Sequence, residues 1–253
     1  MTTTSVRHAI ILAAGLCARL RSVIDDRPKG LIEIDGESLV GRSVRLLRDS
    51  GIEDITIVAG YRSEYYAQFA AGQPDIHFVL NDRFETTGSM ASLAVALDHV
   101  HSDVLVLESD IVYEARALSA LLQSEATDAT LISGPTRAGD EVWVYAPQAR
   151  VEAMSKIVHE LPAITGEFVG ITKLSARAAT SMCRAYEQFV DRNGHGRMDY
   201  ETDALIAVSR QFPIAAVLVS DLCWGEVDDE RQLARVVDQV WPAVGNQLPR
   251  AAT

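Results

Sequence analysis

The stretch His8-Ala9-Ile10-Ile11-Leu12-Ala13-Ala14-Gly15-Leu16-Cys17-Ala18-Arg19-Leu20 decides how the rest of the chain is read. Residues 8–14 form an apolar run of strand length, and Gly15 punctuates its end. A run that is apolar throughout, without alternation, fits a strand buried on both faces. Further along, residues 31–34 predict a short strand entering a turn at Asp35-Gly36. Ser38 is placed to cap a helix whose Leu39, Val40, Val44 and Leu47 share one face until Gly51 ends it. Residues 54–60 predict a strand, 64–71 a short helix and 76–80 another strand. A helix over 89–100 then carries Met90, Leu93, Ala94 and Leu97 on one side, and the apolar strand 104–107 runs into Glu108-Ser109-Asp110.

Repeated strand, helix, strand with apolar strands places the chain in the α/β class: a Rossmann-like, mainly parallel sheet flanked by helices. Such sheets bind ligands beyond the carboxyl ends of their strands, where both the Gly15 loop and Asp110 fall. The second half is less regular. Candidate strands at 129–133, 141–146, 151–157 and 167–172 follow one another without a long helix, which predicts a small antiparallel lobe. Helices over 176–191 and 201–211, a strand over 214–219 and a final helix over 230–240 follow, with 245–253 as a frayed tail.

A length of 253 residues fits one α/β domain. Neither a long charge-free run nor a signal-peptide pattern is present, so the expectation is a cytoplasmic protein away from membranes. Cys17, Cys183 and Cys223 are odd in number and far apart, which argues against a disulfide framework or a zinc-ligand pair. The net charge of −12 disfavours nucleic acid as a partner, because that binding uses a basic surface. One local exception stands out. Arg19, Arg21, Arg27 and Lys29 cluster against only Asp25 and Asp26, and Lys29 is one of just three lysines, with Lys156 and Lys173, beside twenty arginines.

Small residues after a strand, here Leu12, Ala13, Ala14 and Gly15, let backbone N–H groups approach a polyphosphate. Arg19 can chelate its outer phosphates and Lys29, in Arg27-Pro28-Lys29-Gly30-Leu31, can neutralise the inner one. Neither a Walker A loop nor a G-x-G-x-x-G fingerprint is present. The arrangement resembles the sugar-phosphate and alcohol-phosphate nucleotidyltransferase superfamily, of MobA-like fold, whose signature is strand, L-A-A-G-x-G-x-R, then P-K. Cys17 departs from it at the second glycine. The segments Asn81-Asp82-Arg83-Phe84-Glu85-Thr86-Thr87-Gly88-Ser89-Met90-Ala91-Ser92-Leu93 and Trp224-Gly225-Glu226-Val227-Asp228-Asp229 narrow the resemblance to small cytidylyltransferases acting on phosphocholine, aminoethyl- or hydroxyethyl-phosphonate, or inositol phosphate.

The resemblance implies one nucleotidyltransferase domain over 1–253, with a nucleotide-binding part at about 6–134, an acceptor-binding part at about 135–228 and a C-terminal helix at about 229–241. It implies Lys29 and Arg19 as catalytic groups, Thr87, Gly88, Ser89 and Ser92 as readers of the pyrimidine, and Asp110 with Asp228 as ligands of Mg²⁺. The reaction it implies is in-line attack of an anionic acceptor oxygen on the α phosphorus of CTP, with release of pyrophosphate. Candidate acceptor-binding residues are Glu141, Trp143, Lys156, Glu167, Tyr200, Glu201 and Glu226. Acids beside aromatics suit an ammonium group, while simple strand burial accounts equally for Trp143 and Tyr145; for Ser89, a helix N-cap stands beside base reading. A second copy of the chain is a candidate partner. A sugar-1-phosphate nucleotidyltransferase and a non-catalytic nucleotide sensor remain the alternatives.

Overall fold

The computed structural model describes residues 6–16, 19–20 and 26–244. Cys17, Arg21, Asp25 and the 245–253 tail lie outside the described residues. In chain order the elements are β1 (His8–Ala13), β2 (Glu33–Ile34), β3 (Glu37–Ser38), α1 (Leu39–Asp49), β4 (Asp54–Ala59), α2 (Ser63–Ala70), β5 (Ile76–Leu80), α3 (Ser89–Leu97), β6 (Val104–Glu108), β7 (Ile111–Tyr113), α4 (Arg116–Gln123) and β8 (Ala129–Ser133). There follow β9 (Trp143–Tyr145), β10 (Ala153–Ser155), β11 (Gly166–Leu174), α5 (Ala176–Asn193), α6 (Ile206–Ser209), β12 (Ala215–Val219), β13 (Trp224–Glu226), α7 (Glu230–Arg235) and α8 (Trp241–Val244).

The main sheet runs β10-β9-β11-β6-β1-β4-β5, with β8 paired to β11 and β12 to β8. The expected α/β architecture is present: β6, β1, β4 and β5 are parallel neighbours, and helices cover the sheet. Alternation along β1 explains the two faces. Ile11 enters one core cluster with Val44, Ile55 and Leu118, and Ile10 enters the opposite one with Met90, Leu93 and Met182. The antiparallel strands β8, β9 and β10 join this same sheet through β11. A third cluster joins Leu20, Ile32 and Leu39 to Val236 and Trp241, seating the C-terminal helices under the loop that follows β1.

Several boundaries differ from the expectation. Residues 29–31 form a 3₁₀ turn, in which Ile32 N–H bonds to the Lys29 carbonyl at 3.0 Å, so only Glu33 and Ile34 remain extended. The helix expected over 201–211 begins as a wider π-type turn over Tyr200–Leu205, with Ala204 N–H bonded to the Asp199 carbonyl at 3.0 Å. The last helix continues past 240 to Val244. Among the described residues, no helix is long and apolar enough to cross a membrane.

Candidate active site

β1 and β6 are parallel neighbours whose carboxyl ends open into a cleft of about 230 Å³. Leu12, Ala13, Ala14 and Gly15 line one wall, with Pro28 and Lys29; Thr87, Gly88, Ser89 and Ser92 line another, with Phe84. Tyr66, Glu108, Ser109, Asp110, Tyr200 and Glu226 complete it. A smaller cleft of about 90 Å³ adjoins it and shares Glu108 and Glu226. Its other lining residues include Arg19, Asp140, Glu141, Lys156, Glu167, Glu201 and Asp228.

Lys29 stands at the junction. Its ammonium lies 2.5 Å from Asp110 Oδ2 and also bonds to Asp228 Oδ1. Burial alone would lower the Lys29 pKa, but the charges of Asp110 and Asp228 and their hydrogen bonds outweigh it and hold the group above its ordinary value. For Asp228 the balance reverses in sign: burial favours the neutral acid, yet Lys29 and then Arg19 pull its pKa below the usual carboxylate value. Arg19 donates to Asp228 Oδ2 at 2.6 Å. Arg19 thereby lines the smaller cleft beside Asp228.

The remaining carboxyls crowd one another. Burial, then Glu201 and Asp110, push Glu108 well above its ordinary pKa. Burial, then Asp110 and Glu108, do the same to Glu226. Glu201 is pushed up to about 7 by burial and by Asp199. Glu167 also rises to about 7 through burial, although it accepts from Thr136 N–H at 2.5 Å and Thr136 Oγ1 at 2.8 Å. Two sets of carboxylates, Glu108 with Asp110 and Glu226, and Asp140 with Glu226 and Asp228, each bring an oxygen within 4.8 Å of the others.

Local structure holds the far wall. Asn81, 2% exposed, donates to Ser92 Oγ at 3.0 Å and accepts from Arg83 N–H, shaping the 82–88 loop. Gly88 packs against the 196–198 backbone so closely that a Cβ there would lie 2.3 Å from the Met198 carbonyl oxygen. It is Gly88 that stands at the N-cap of α3. The N-cap reading of Ser89 is thereby corrected: its hydroxyl accepts from Tyr200 N–H at 2.9 Å and donates to Glu201 at 3.3 Å. Gly170, at φ +83°, makes room for Glu108, whose Oε2 would be 2.8 Å from a Cβ.

Of the anticipated acceptor residues, Glu141, Lys156, Glu167, Glu201 and Glu226 line the smaller cleft, and Tyr200 lines the larger one. Trp143 lines neither. It pairs in register with Glu167 and Ser155 on β9, where Val144 takes the core-facing position and the period of two sends Trp143 the other way. The sequence reading missed Glu108 and Asp140. Glu108 carried a signal, as an acid closing a wholly apolar strand; Asp140 lies in irregular backbone and carried none.

A family model for the MobA-like NTP transferase domain matches residues 9–179. The chain belongs to that family. Among curated relatives, this MobA-like domain is 29% identical over 236 residues to a CMP-5'-(3-aminopropyl)phosphonate synthase of Streptomyces rubellomurinus, covering 88% of this chain and 37% of that protein. It is 22% identical over 245 residues to a CTP:phosphoglutamine cytidylyltransferase of Campylobacter jejuni, covering 87% and 95%. The chain thus spans little more than a third of the first relative and nearly all of the second. Its fold is that of the inositol-1-phosphate CTP transferase from T. maritima, with a TM-score of 0.79, 19% identity, and coverage of 96% of this chain and 98% of that one.

Proposed function

We propose that the domain is a cytidylyltransferase that joins CTP to a small acceptor bearing a phosphate or phosphonate and a cationic amine. The observation that carries this reading is the junction at Lys29, Asp110 and Asp228, where a cleft ending in the Leu12 to Gly15 turn meets a second cleft dense in acids. The triphosphate lies along the larger cleft with its base against Thr87, Gly88, Ser89 and Ser92. The acceptor enters the smaller one. Among the described lining residues there, Glu108, Asp140, Glu141, Glu167, Glu201, Glu226 and Asp228 face only Arg19 and Lys156 as cations. Burial and then neighbouring carboxylates raise the pKa of Glu108 and Glu226, and an acceptor ammonium relieves that repulsion while Lys156 meets the phosphorus end.

Chemistry follows from placement. An acceptor oxygen attacks the α phosphorus in line, the new P–O bond forms as the α–β anhydride bond breaks, and pyrophosphate leaves with the electron pair. The nucleophile is already an anion, so no general base is required. Lys29 and Arg19 hold two mutually repelling anions together and offset the charge that gathers in the transition state. The donor set also fits Mg²⁺, a hard ion that prefers carboxylate oxygens: Asp110 and Asp228 already share one cation, the Lys29 ammonium, and Glu226 belongs to both carboxylate sets. When bound by Asp110 and Asp228, the ion supplies further positive charge to the phosphate oxygens.

Pyrophosphate release across CTP, UTP, GTP and ATP, each with phosphocholine, 2-aminoethylphosphonate, 2-hydroxyethylphosphonate and glucose-1-phosphate, tests the reading. CTP with an amine-bearing acceptor is expected to exceed its hydroxyl counterpart by about tenfold or more in kcat/KM. Turnover of glucose-1-phosphate alone would move the assignment to sugar-phosphate activation. Nucleotide binding without any turnover, restored by Cys17→Gly, would favour a sensor.

A further inference from the structure

Gln232 is 1% exposed, and both ends of its amide are engaged. Its Oε1 accepts from the Asp228 backbone N–H at 2.6 Å, and its Nε2 donates to Asp140 Oδ1 at 2.6 Å. Asp228 belongs to the turn that meets Lys29. Asp140 belongs to the irregular loop of the smaller cleft, where its second carboxylate oxygen faces Arg19 at 4.0 Å. One buried side chain therefore ties together two carboxylates of the smaller cleft, one of which, Asp228, also meets Lys29 from the larger one.

We propose that Gln232 is a positioning residue that sets the Asp228 turn and the 138–140 loop in one register, so that nucleotide and acceptor meet in line. This rests on the reading of the smaller cleft as the acceptor site. The chemistry selects glutamine. A glutamate could accept from Asp228 N–H but would set a second carboxylate against Asp140; an apolar side chain of the same length would leave a buried N–H and a carboxylate oxygen without their partner. The neighbouring side chain reinforces the register, because Arg231 donates to the Ala138 carbonyl across the same gap. A glycine at 139 accommodates it, since a Cβ there would lie 2.7 Å from Arg231 Nη2. Asp229 caps α7 by accepting from Gln232 N–H at 2.8 Å, which fixes where the amide starts.

The test is a double-mutant cycle in the full chain with Gln232→Glu, Asp140→Asn and the two together, with Gln232→Met as a variant that adds no charge. CTP and acceptor are varied separately, and thermal unfolding is recorded for each protein. Gln232→Glu is expected to lower kcat/KM for the acceptor roughly tenfold while KM for CTP changes by less than about threefold. Adding Asp140→Asn returns one donor and one acceptor to the pair and should recover part of the loss, although Asp140→Asn alone lowers the rate. Losses that multiply without recovery, equal changes in both KM values, or losses that simply follow Tm would overturn the proposal. Wild-type protein inert with every acceptor would overturn the functional reading beneath it; active wild type without coupling would overturn only the role of Gln232.

Discussion

Lys29 holds Asp110 and Asp228 together against the cost of its own burial, because the carboxylate charges and hydrogen bonds outweigh that cost. Removing the ammonium leaves two carboxylates facing each other, with Arg19 still paired to Asp228. Lys29→Met is therefore expected to tighten Mn²⁺ binding in nucleotide-free protein by about tenfold, read by titration of the free-ion paramagnetic signal, while turnover falls by about a hundredfold or more. Unchanged Mn²⁺ affinity would separate Lys29 from the cation position. Glu167 gives a pH prediction of definite sign. Its folded pKa, about 7, lies above the unfolded value of 4.5, so the folded state binds the extra proton and stability falls as pH rises from about 4.5 through about 7. Glu167→Gln keeps an acceptor for Thr136 N–H and loses that titration. Its advantage over wild type should grow between pH 5 and pH 8, reaching about 1–3 kcal/mol in urea unfolding; an advantage that is flat with pH would contradict the assignment.

At the scale of elements, the 82–88 loop and the 196–200 segment form one wall because Gly88 N–H bonds to the Gly196 carbonyl and Met90 N–H to the Met198 carbonyl. Gly88→Ala places a methyl against Met198 and must part them. KM for the nucleotide is expected to rise about tenfold or more, with a stability loss of about 1–3 kcal/mol in denaturant unfolding. Nucleotide binding equal to wild type would show that this wall does not touch the base. The elements legible in the sequence were those whose apolar pattern is long: β1, α1, β4, α3 and β6 lie within a few residues of their expected places. α4, with Leu118 and Leu121 buried, carried a readable helical stripe that the sequence reading passed over. β7 and β13 are three-residue strands that exist because they pair with each other across the chain, and no local period announces them. The same reason hid Asp140 and Gln232, whose positions follow from contacts between α7 and a loop far from it in sequence.

At the scale of the molecule, the sheet delivers β1, β4 and β6 to one edge, and the last part of the chain returns through β13 to bring Glu226 and Asp228 there. The motifs legible in the sequence, the Leu12 turn, Lys29, Asp110 and Asp228, are the ones that meet at the junction. The wall between the clefts was less legible, because Glu108 acquires its place only when Gly170 and Tyr200 close around it. In a chain of net charge −12, Glu108, Asp110, Asp140, Glu226 and Asp228 gather at that junction, where in the proposed function a cationic acceptor and a divalent ion would balance them. In the proposed function, Asp110 and Asp228 together hold the Mg²⁺ on which transfer from CTP depends. The direct measurement is the initial rate of pyrophosphate release from CTP and 2-aminoethylphosphonate, with Mg²⁺ varied, in wild type, Asp110→Ala and Asp228→Ala. Wild type should show saturable Mg²⁺-dependent turnover and each variant a loss of about a hundredfold or more; a variant that kept near-wild-type, Mg²⁺-dependent turnover would contradict the account.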